Sequence, residues 1–363
     1  MGMIRFCLAL AVVSTHTNEL LPFHMIFGFF AVKIFFIISG FYMALVLDEK
    51  YFKQKKSYML FISNRFYRLF PLYFVVMFLS IVLYAAAVYF KGGEIAHYGS
   101  SLYNPVVEFI HLNSPFKNNF AYYLVILFTN VFILGLESLY FFSVPIIAVV
   151  PQAWSLSLEL YFYLLAPVLV RQKTGVLMVL FLVSVLWRLF FLKLGYVGDK
   201  WYFSFFPFEI AFFVLGIFSY RIYKNNFLKR VPGRFFFAAI VLVLTPIINL
   251  PIIENFNFYS NAWNAVAVFL IFFILIVLGL PIIFSYTKNW VVDRWIGEFS
   301  YPIYIVHFSV IYFLRCFLGM SNVDPMFGWK VVVFSFVITL VLLYIIVYPI
   351  ERLRMSRILS HKL

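Results

Sequence analysis

Apolar residues in this chain come in runs of about twenty, the length at which an α-helix crosses roughly 30 Å of hydrocarbon, and basic or polar stretches separate them. The runs predict helices over 3–20, 25–47, 66–90, 120–136, 152–170, 174–194, 203–223, 234–250, 261–284, 298–318 and 328–349. The fold this implies is all-α, a polytopic integral membrane helical bundle of about 10–12 transmembrane helices. No small-residue cleavage site follows the first run and a second hydrophobic helix begins almost at once, so the first run is expected to stay as a span rather than be removed as a signal peptide. With no internal repeat, Gly/Ser linker or low-complexity tract, residues 1–351 read as one transmembrane domain and 352–363 as a short basic tail.

Composition narrows the class. Of 363 residues, 65% are hydrophobic and 12% charged, against about 25% charged in soluble domains. Too little polar material remains to cover a water-facing shell, which excludes a soluble domain, a disordered chain and a disulfide scaffold. The net charge of +14 reports topology rather than nucleic-acid binding, because basic residues concentrate in the cytoplasmic loops of membrane proteins. They cluster here at Lys50, Lys53, Lys55, Lys56, Arg65 and Arg68, at Arg221, Lys224, Lys229, Arg230 and Arg234, and at Arg352, Arg354, Arg357 and Lys362. Those stretches and both termini are expected in the cytoplasm, and Ile252–Asn261, with one acid and no base, outside. Eleven crossings cannot return both ends to one side. The Pro-containing stretch Glu137–Pro151 is therefore either a short extra crossing or a re-entrant segment buried in protein. Cys7 and Cys316 lie in apolar runs and read as small hydrophobes, with no disulfide framework and no metal site.

A charge at the centre of a membrane helix costs about 2.5–3.5 kcal/mol on insertion scales, so each needs a partner or a task. Arg5 and His16 share the first run and stand roughly 16 Å apart along a helix, which puts Arg5 near the inner face and His16 well across. Glu19 follows His16 by three positions, where a carboxylate can orient an imidazole acting as general base. Trp154, Ser155 and Glu159 open the 152–170 helix, with Ser155 and Glu159 one turn apart. Ser300, Tyr304 and His307 form a stripe beside Tyr301 and Glu298 that also fits an aromatic interface belt.

Taken in order, these fragments resemble the acyltransferase family 3 membrane proteins. The resemblance is carried by Arg5 and His16, by Phe35-Phe36-Ile37-Ile38-Ser39-Gly40-Phe41, by Arg65-Phe66-Tyr67-Arg68-Leu69-Phe70-Pro71, by Trp154-Ser155-Leu156-Ser157-Leu158-Glu159 through Tyr163 and Pro167, and by Ser300-Tyr301-Pro302-Ile303-Tyr304-Ile305-Val306-His307. It spans residues 1 to about 351. It implies transfer of an acyl group, most often acetyl, from cytoplasmic acyl-CoA to a hydroxyl of a cell-surface carbohydrate such as O-antigen, exopolysaccharide or capsule. The acceptor is lipid-linked or free, and the setting a bacterial inner membrane. Acetyl-CoA is then a co-substrate and no cofactor is permanently bound. The sequence stops shortly after the last predicted helix, so it is expected to lack the extracytoplasmic hydrolase-like domain fused to some relatives and to leave the whole transfer to the membrane unit.

Under that resemblance His16, Glu19 and Glu159 are the catalytic candidates and Arg5, Arg65 and Arg68 the acyl-CoA-binding ones. Trp154, Ser155, Ser300, Tyr301, Tyr304 and His307 are acceptor-site or supporting residues. The family's acid after the histidine is expected to be aspartate, and here it is Glu19. His16 either deprotonates the acceptor hydroxyl or itself takes the acyl group as an acyl-imidazole. The lysines from Lys50 to Lys56 read better as contacts to anionic membrane lipid, at about 1 kcal/mol each. A transporter or flippase for a glycan or lipid-linked sugar is the rival, since ionisable residues in spans also mark substrate pathways. It predicts repeats with interrupted helices at matching places in two halves, and the break near 145–151 has no counterpart. A membrane-bound acyltransferase of the unrelated type, which pairs a buried Asn or Asp with His, fits less well because no such pattern accompanies His307.

Overall fold

The computed structural model describes residues 1–17, 20, 25–52, 57–91, 119–140, 147–196, 200–225, 235, 236, 238–240 and 262–360, which are predominantly helical and hold no strand. In order, the α-helices are α1 (Gly2–His16), α2 (Gly28–Val46), α3 (Ser57–Lys91), α4 (Phe120–Phe132), α5 (Trp154–Leu169), α6 (Thr174–Lys193), α7 (Phe206–Lys224), α8 (Ala262–Thr287), α9 (Val291–Leu318), α10 (Phe327–Leu342) and α11 (Tyr348–Ser360). Among the described residues seven helical segments are long and apolar enough to cross a membrane, while α1 and α4 are apolar but shorter. The chain is an all-α polytopic membrane helical bundle.

Helix ends depart from the apolar runs for identifiable reasons. Once nucleated, a helix propagates into polar flanks that hydropathy does not register, so α3 starts at Ser57 rather than 66 and α9 at Val291 rather than 298. Conversely α4 stops at Phe132, short of 136, where Ile133 takes the left-handed φ of 66° that a branched residue rarely adopts. The predicted 234–250 helix is described only at 235, 236 and 238–240, which are helical. Glu19, the 92–118 connection, the 252–261 loop and the basic residues Lys53, Lys55, Lys56, Lys229, Arg230, Arg234 and Lys362 lie outside the described residues.

The chain divides into two compact units. The first comprises Met1–Tyr58, Phe162–Leu194 and Pro207–Tyr301. Within it α2 and α7 run parallel in constant register, with Lys33 against Glu209, Gly40 against Gly216 and Asp48 against Lys224. The two glycines bring the backbones together, as small residues do between membrane helices. A Cβ on Gly40 would stand 3.1 Å from the Gly216 Cα and overlap the Phe213 carbonyl oxygen. Around this contact Phe213 stacks between Phe36 and Phe162, with ring centroids 4.6 and 4.2 Å apart. Thr15, near the end of α1, accepts the Gly28 N–H at 2.8 Å and so satisfies one donor left open by the start of α2. The Asp293 carboxylate does the same for α1, accepting the N–H groups of Gly2 and Met3.

The second unit comprises Met59–Tyr161, Gly195–Phe206 and Pro302–Leu363. Here α3 packs on α9 through a Ser80–Ser309 hydroxyl bond of 2.7 Å and an edge-on Tyr84–Tyr312 pair, with Ala87 and Cys316 buried beside it. Between α4 and α5 the backbone leaves the helix. Lipid supplies no hydrogen bonds, so non-helical backbone at this depth needs partners from protein. Asn130 provides them, its Nδ2 donating to the Ile147 carbonyl at 2.7 Å and its Oδ1 accepting the Val149 N–H at 2.8 Å, while Tyr73 donates to the Asn130 carbonyl. In the connection before α10, a hydrogen bond from Lys330 holds the Asp324 carboxyl below the usual carboxylate range, aided by the Met326 N–H.

Candidate functional site

In the second unit the start of α5 meets the middle of α9. Pro151–Ala153 forms one 3₁₀ turn that leads into α5 and buries Gln152. Ser155 Oγ and Tyr304 Oη lie 2.7 Å apart, and both hydroxyls reach the Gln152 carbonyl, at 3.2 and 3.1 Å. The Gln152 side chain donates from Nε2 to the Ile305 carbonyl, and its buried Oε1 accepts no hydrogen bond from the described residues. His307 is fully buried, with Nδ1 2.7 Å from the Tyr304 carbonyl. A carbonyl can only accept, so Nδ1 carries a proton. The result is a buried run of hydroxyls, amide and imidazole able to accept and donate hydrogen bonds.

Of the residues read from sequence, Ser155, Tyr304 and His307 come together in this way. Tyr304 and His307 are buried, not an interfacial belt. Trp154 is buried at the first turn of α5 and Glu159 half-buried one turn beyond Ser155, whose hydroxyl bonds Tyr304 and Gln152 rather than Glu159. Ser300 is buried too, but its hydroxyl bonds back to the Gly297 carbonyl of its own helix at 2.7 Å, as helical serines often do. Tyr301 is half-buried. Arg65 is buried in α3 with its guanidinium 5.5 Å from the Phe61 ring centroid, and Arg68, one turn on, is exposed. Arg5 and His16 belong to the first unit, Arg5 half-buried and His16 exposed at the last turn of α1. Glu19 falls outside the described residues.

Two polar groups escaped the sequence reading. Glu137, buried in the 3₁₀ turn after α4, accepts hydrogen bonds from the Ser157 and Tyr161 hydroxyls, the latter at 3.1 Å. In the first unit Lys33, Arg188 and Glu209 converge from α2, α6 and α7. The signal for both was a charge inside an apolar run, the criterion that had selected Arg5.

The described helices form a polytopic membrane bundle in which Ser155, Tyr304 and His307 are buried together. The family model of acyltransferase family 3, described as an acyltransferase domain, matches residues 1–348 of the 363. The chain belongs to that family and is an integral membrane acyltransferase. No curated protein and no solved structure matches it.

Proposed function

We propose that the protein transfers an acetyl group from cytoplasmic acetyl-CoA to a hydroxyl of a cell-surface or extracytoplasmic polysaccharide of O-antigen, exopolysaccharide or capsule type. The observation that carries this reading is the family match over residues 1–348, and Ser155, Tyr304 and His307, from the segments that resemble the family, lie together in the buried polar cluster. The setting is a bacterial inner membrane with both termini cytoplasmic.

In the reaction the acceptor oxygen forms a bond to the acetyl carbonyl carbon, the carbon–sulfur bond breaks, and the CoA thiolate leaves and is protonated. His16 takes the acceptor proton, or carries the acetyl group between donor and acceptor. Its exposure at the end of α1 supports a group that substrate must reach. Glu19 orients it. Arg65 and Arg68 hold CoA phosphates through bidentate guanidinium contacts, with Arg5 at the inner end of the path. Trp154, Ser155, Glu159, Ser300, Tyr301, Tyr304 and His307 receive the sugar, hydroxyl to hydroxyl, and Trp154 offers a ring face. Acetyl-CoA and the carbohydrate are substrates, and membrane lipid surrounds the chain.

The test is incorporation of radiolabelled acetyl from acetyl-CoA into envelope polysaccharide by membranes holding the wild-type chain or His16→Ala at equal level. Label present with wild type and lost in the variant is the expected result. No label from wild type, with protein folded and a suitable glycan present, overturns the reading.

A further inference from the structure

Gln152 is fixed between α5 and α9 by both its backbone and its side chain. The backbone carbonyl takes the Ser155 and Tyr304 hydroxyls at 3.2 and 3.1 Å, and Nε2 donates to the Ile305 carbonyl. Pro151 opens the 3₁₀ turn that delivers the residue, which is 3% exposed. Only the NH₂ side of an amide can face a carbonyl, so the bond to Ile305 also settles which way the amide is turned. Its oxygen, Oε1, is buried and accepts no hydrogen bond from the described residues. A buried acceptor in that state carries its full desolvation cost, which a hydrogen-bond donor from outside the protein would recover.

The two hydroxyls of the cluster have no proton to spare. Ser155 Oγ and Tyr304 Oη stand 2.7 Å apart, a separation at which one donates to the other. The remaining hydroxyl proton goes to the Gln152 carbonyl, which both oxygens reach. With those protons spent inside the cluster, Oε1 is a bare acceptor. A phosphate or carboxylate group brings only more acceptors. A sugar hydroxyl brings the missing proton.

We propose that Gln152 is a specificity-determining residue of the acceptor site, its Oε1 accepting a hydrogen bond from a carbohydrate hydroxyl other than the one that is acylated. The inference rests on the acetyltransferase reading, in which Ser155 and Tyr304 receive the sugar. A site built around such a bond selects strongly, because a sugar without the hydroxyl leaves the buried oxygen unpaired.

The test measures initial rates of acetyl transfer to envelope polysaccharide by the purified full-length chain, against rising polysaccharide and, separately, rising acetyl-CoA, for wild type and three variants. Gln152→Met keeps the length of the side chain and removes the acceptor. Gln152→Asn keeps the amide but draws it back by one methylene, and Gln152→Glu keeps an oxygen acceptor at the same reach. The polysaccharide KM rises roughly tenfold or more in Gln152→Met and Gln152→Asn and stays within about threefold of wild type in Gln152→Glu. The acetyl-CoA KM does not follow, whereas loss of a merely structural link between α5 and α9 moves both. Saturating polysaccharide also raises the thermal unfolding midpoint of wild type and Gln152→Glu, and fails to raise that of Gln152→Met. A polysaccharide KM unchanged in Gln152→Met and Gln152→Asn, as a water held at Oε1 would leave it, overturns the inference alone, as does an equal rise in both KM values. No label from wild type overturns the acetyltransferase reading and this inference with it. Should Gln152→Met fail to fold, Gln152→Asn and Gln152→Glu carry the same comparison.

Discussion

Gly40→Ala tests the close approach of α2 and α7 in the first unit. The added methyl would stand 3.1 Å from the Gly216 Cα and overlap the Phe213 carbonyl oxygen, both backbone atoms, so no side-chain rotation relieves it. The helices α2 and α7 must then part by roughly 1 Å, a displacement a close-packed interior resists. Overpacking of this kind costs about 1–3 kcal/mol. The separation also loosens the Phe36–Phe213 stack and, one heptad away, the Lys33–Glu209 pair. Gly175, near the start of α6, is the matched control because nothing lies within 4 Å of a Cβ built there. Alanine at that position is neutral or stabilising by up to about 1 kcal/mol, from helix propensity alone. Intrinsic tryptophan fluorescence during heating of the purified protein in detergent reads both variants, with Gly40→Ala unfolding below wild type and Gly175→Ala at or above it. Coincident midpoints for all three would refute the backbone contact and the register argued from it.

Asn130→Leu keeps the volume but removes the partners of the Ile147 carbonyl and the Val149 N–H, so it is expected to cost about 2–4 kcal/mol for two stranded backbone groups. A thermal midpoint equal to wild type would show that the segment does not depend on Asn130. Replacing Arg65 and Arg68 together by Gln is expected to weaken acyl-CoA binding at least tenfold, since each charge-assisted hydrogen bond contributes about 1.5–3 kcal/mol. Equilibrium binding of acyl-CoA to the folded variant checks this, and unchanged affinity removes both residues from the donor site.

The apolar runs marked the long helices because length and hydropathy are what a bilayer selects. Ser155 and Tyr304 were legible as candidates, yet their 2.7 Å contact joins residues far apart in sequence and has no signature in local spacing. Lys33, Arg188 and Glu209 were missed for the same reason: they stand in runs far apart in sequence, and their two ion pairs exist only once three helices meet. Gly40 was visible inside a motif, whereas its counterpart Gly216, on which the close packing equally depends, stood in no motif at all.

The shared direction of α2 and α7 fixes a parity. Two spans that run the same way require an odd number of membrane passages between the end of the first and the start of the second. Among the described residues α3, α4, α5 and α6 lie in that interval, and α3 and α6 are long and apolar enough to pass alone. At 13 and 16 residues, α4 and α5 reach about 20 and 24 Å, each short of the hydrocarbon thickness. Asn130, near the end of α4, bonds Ile147 and Val149, just before α5, so the end of α4 lies against the start of α5. With α3 and α6 each passing once, the rest of that interval makes an odd number of passages.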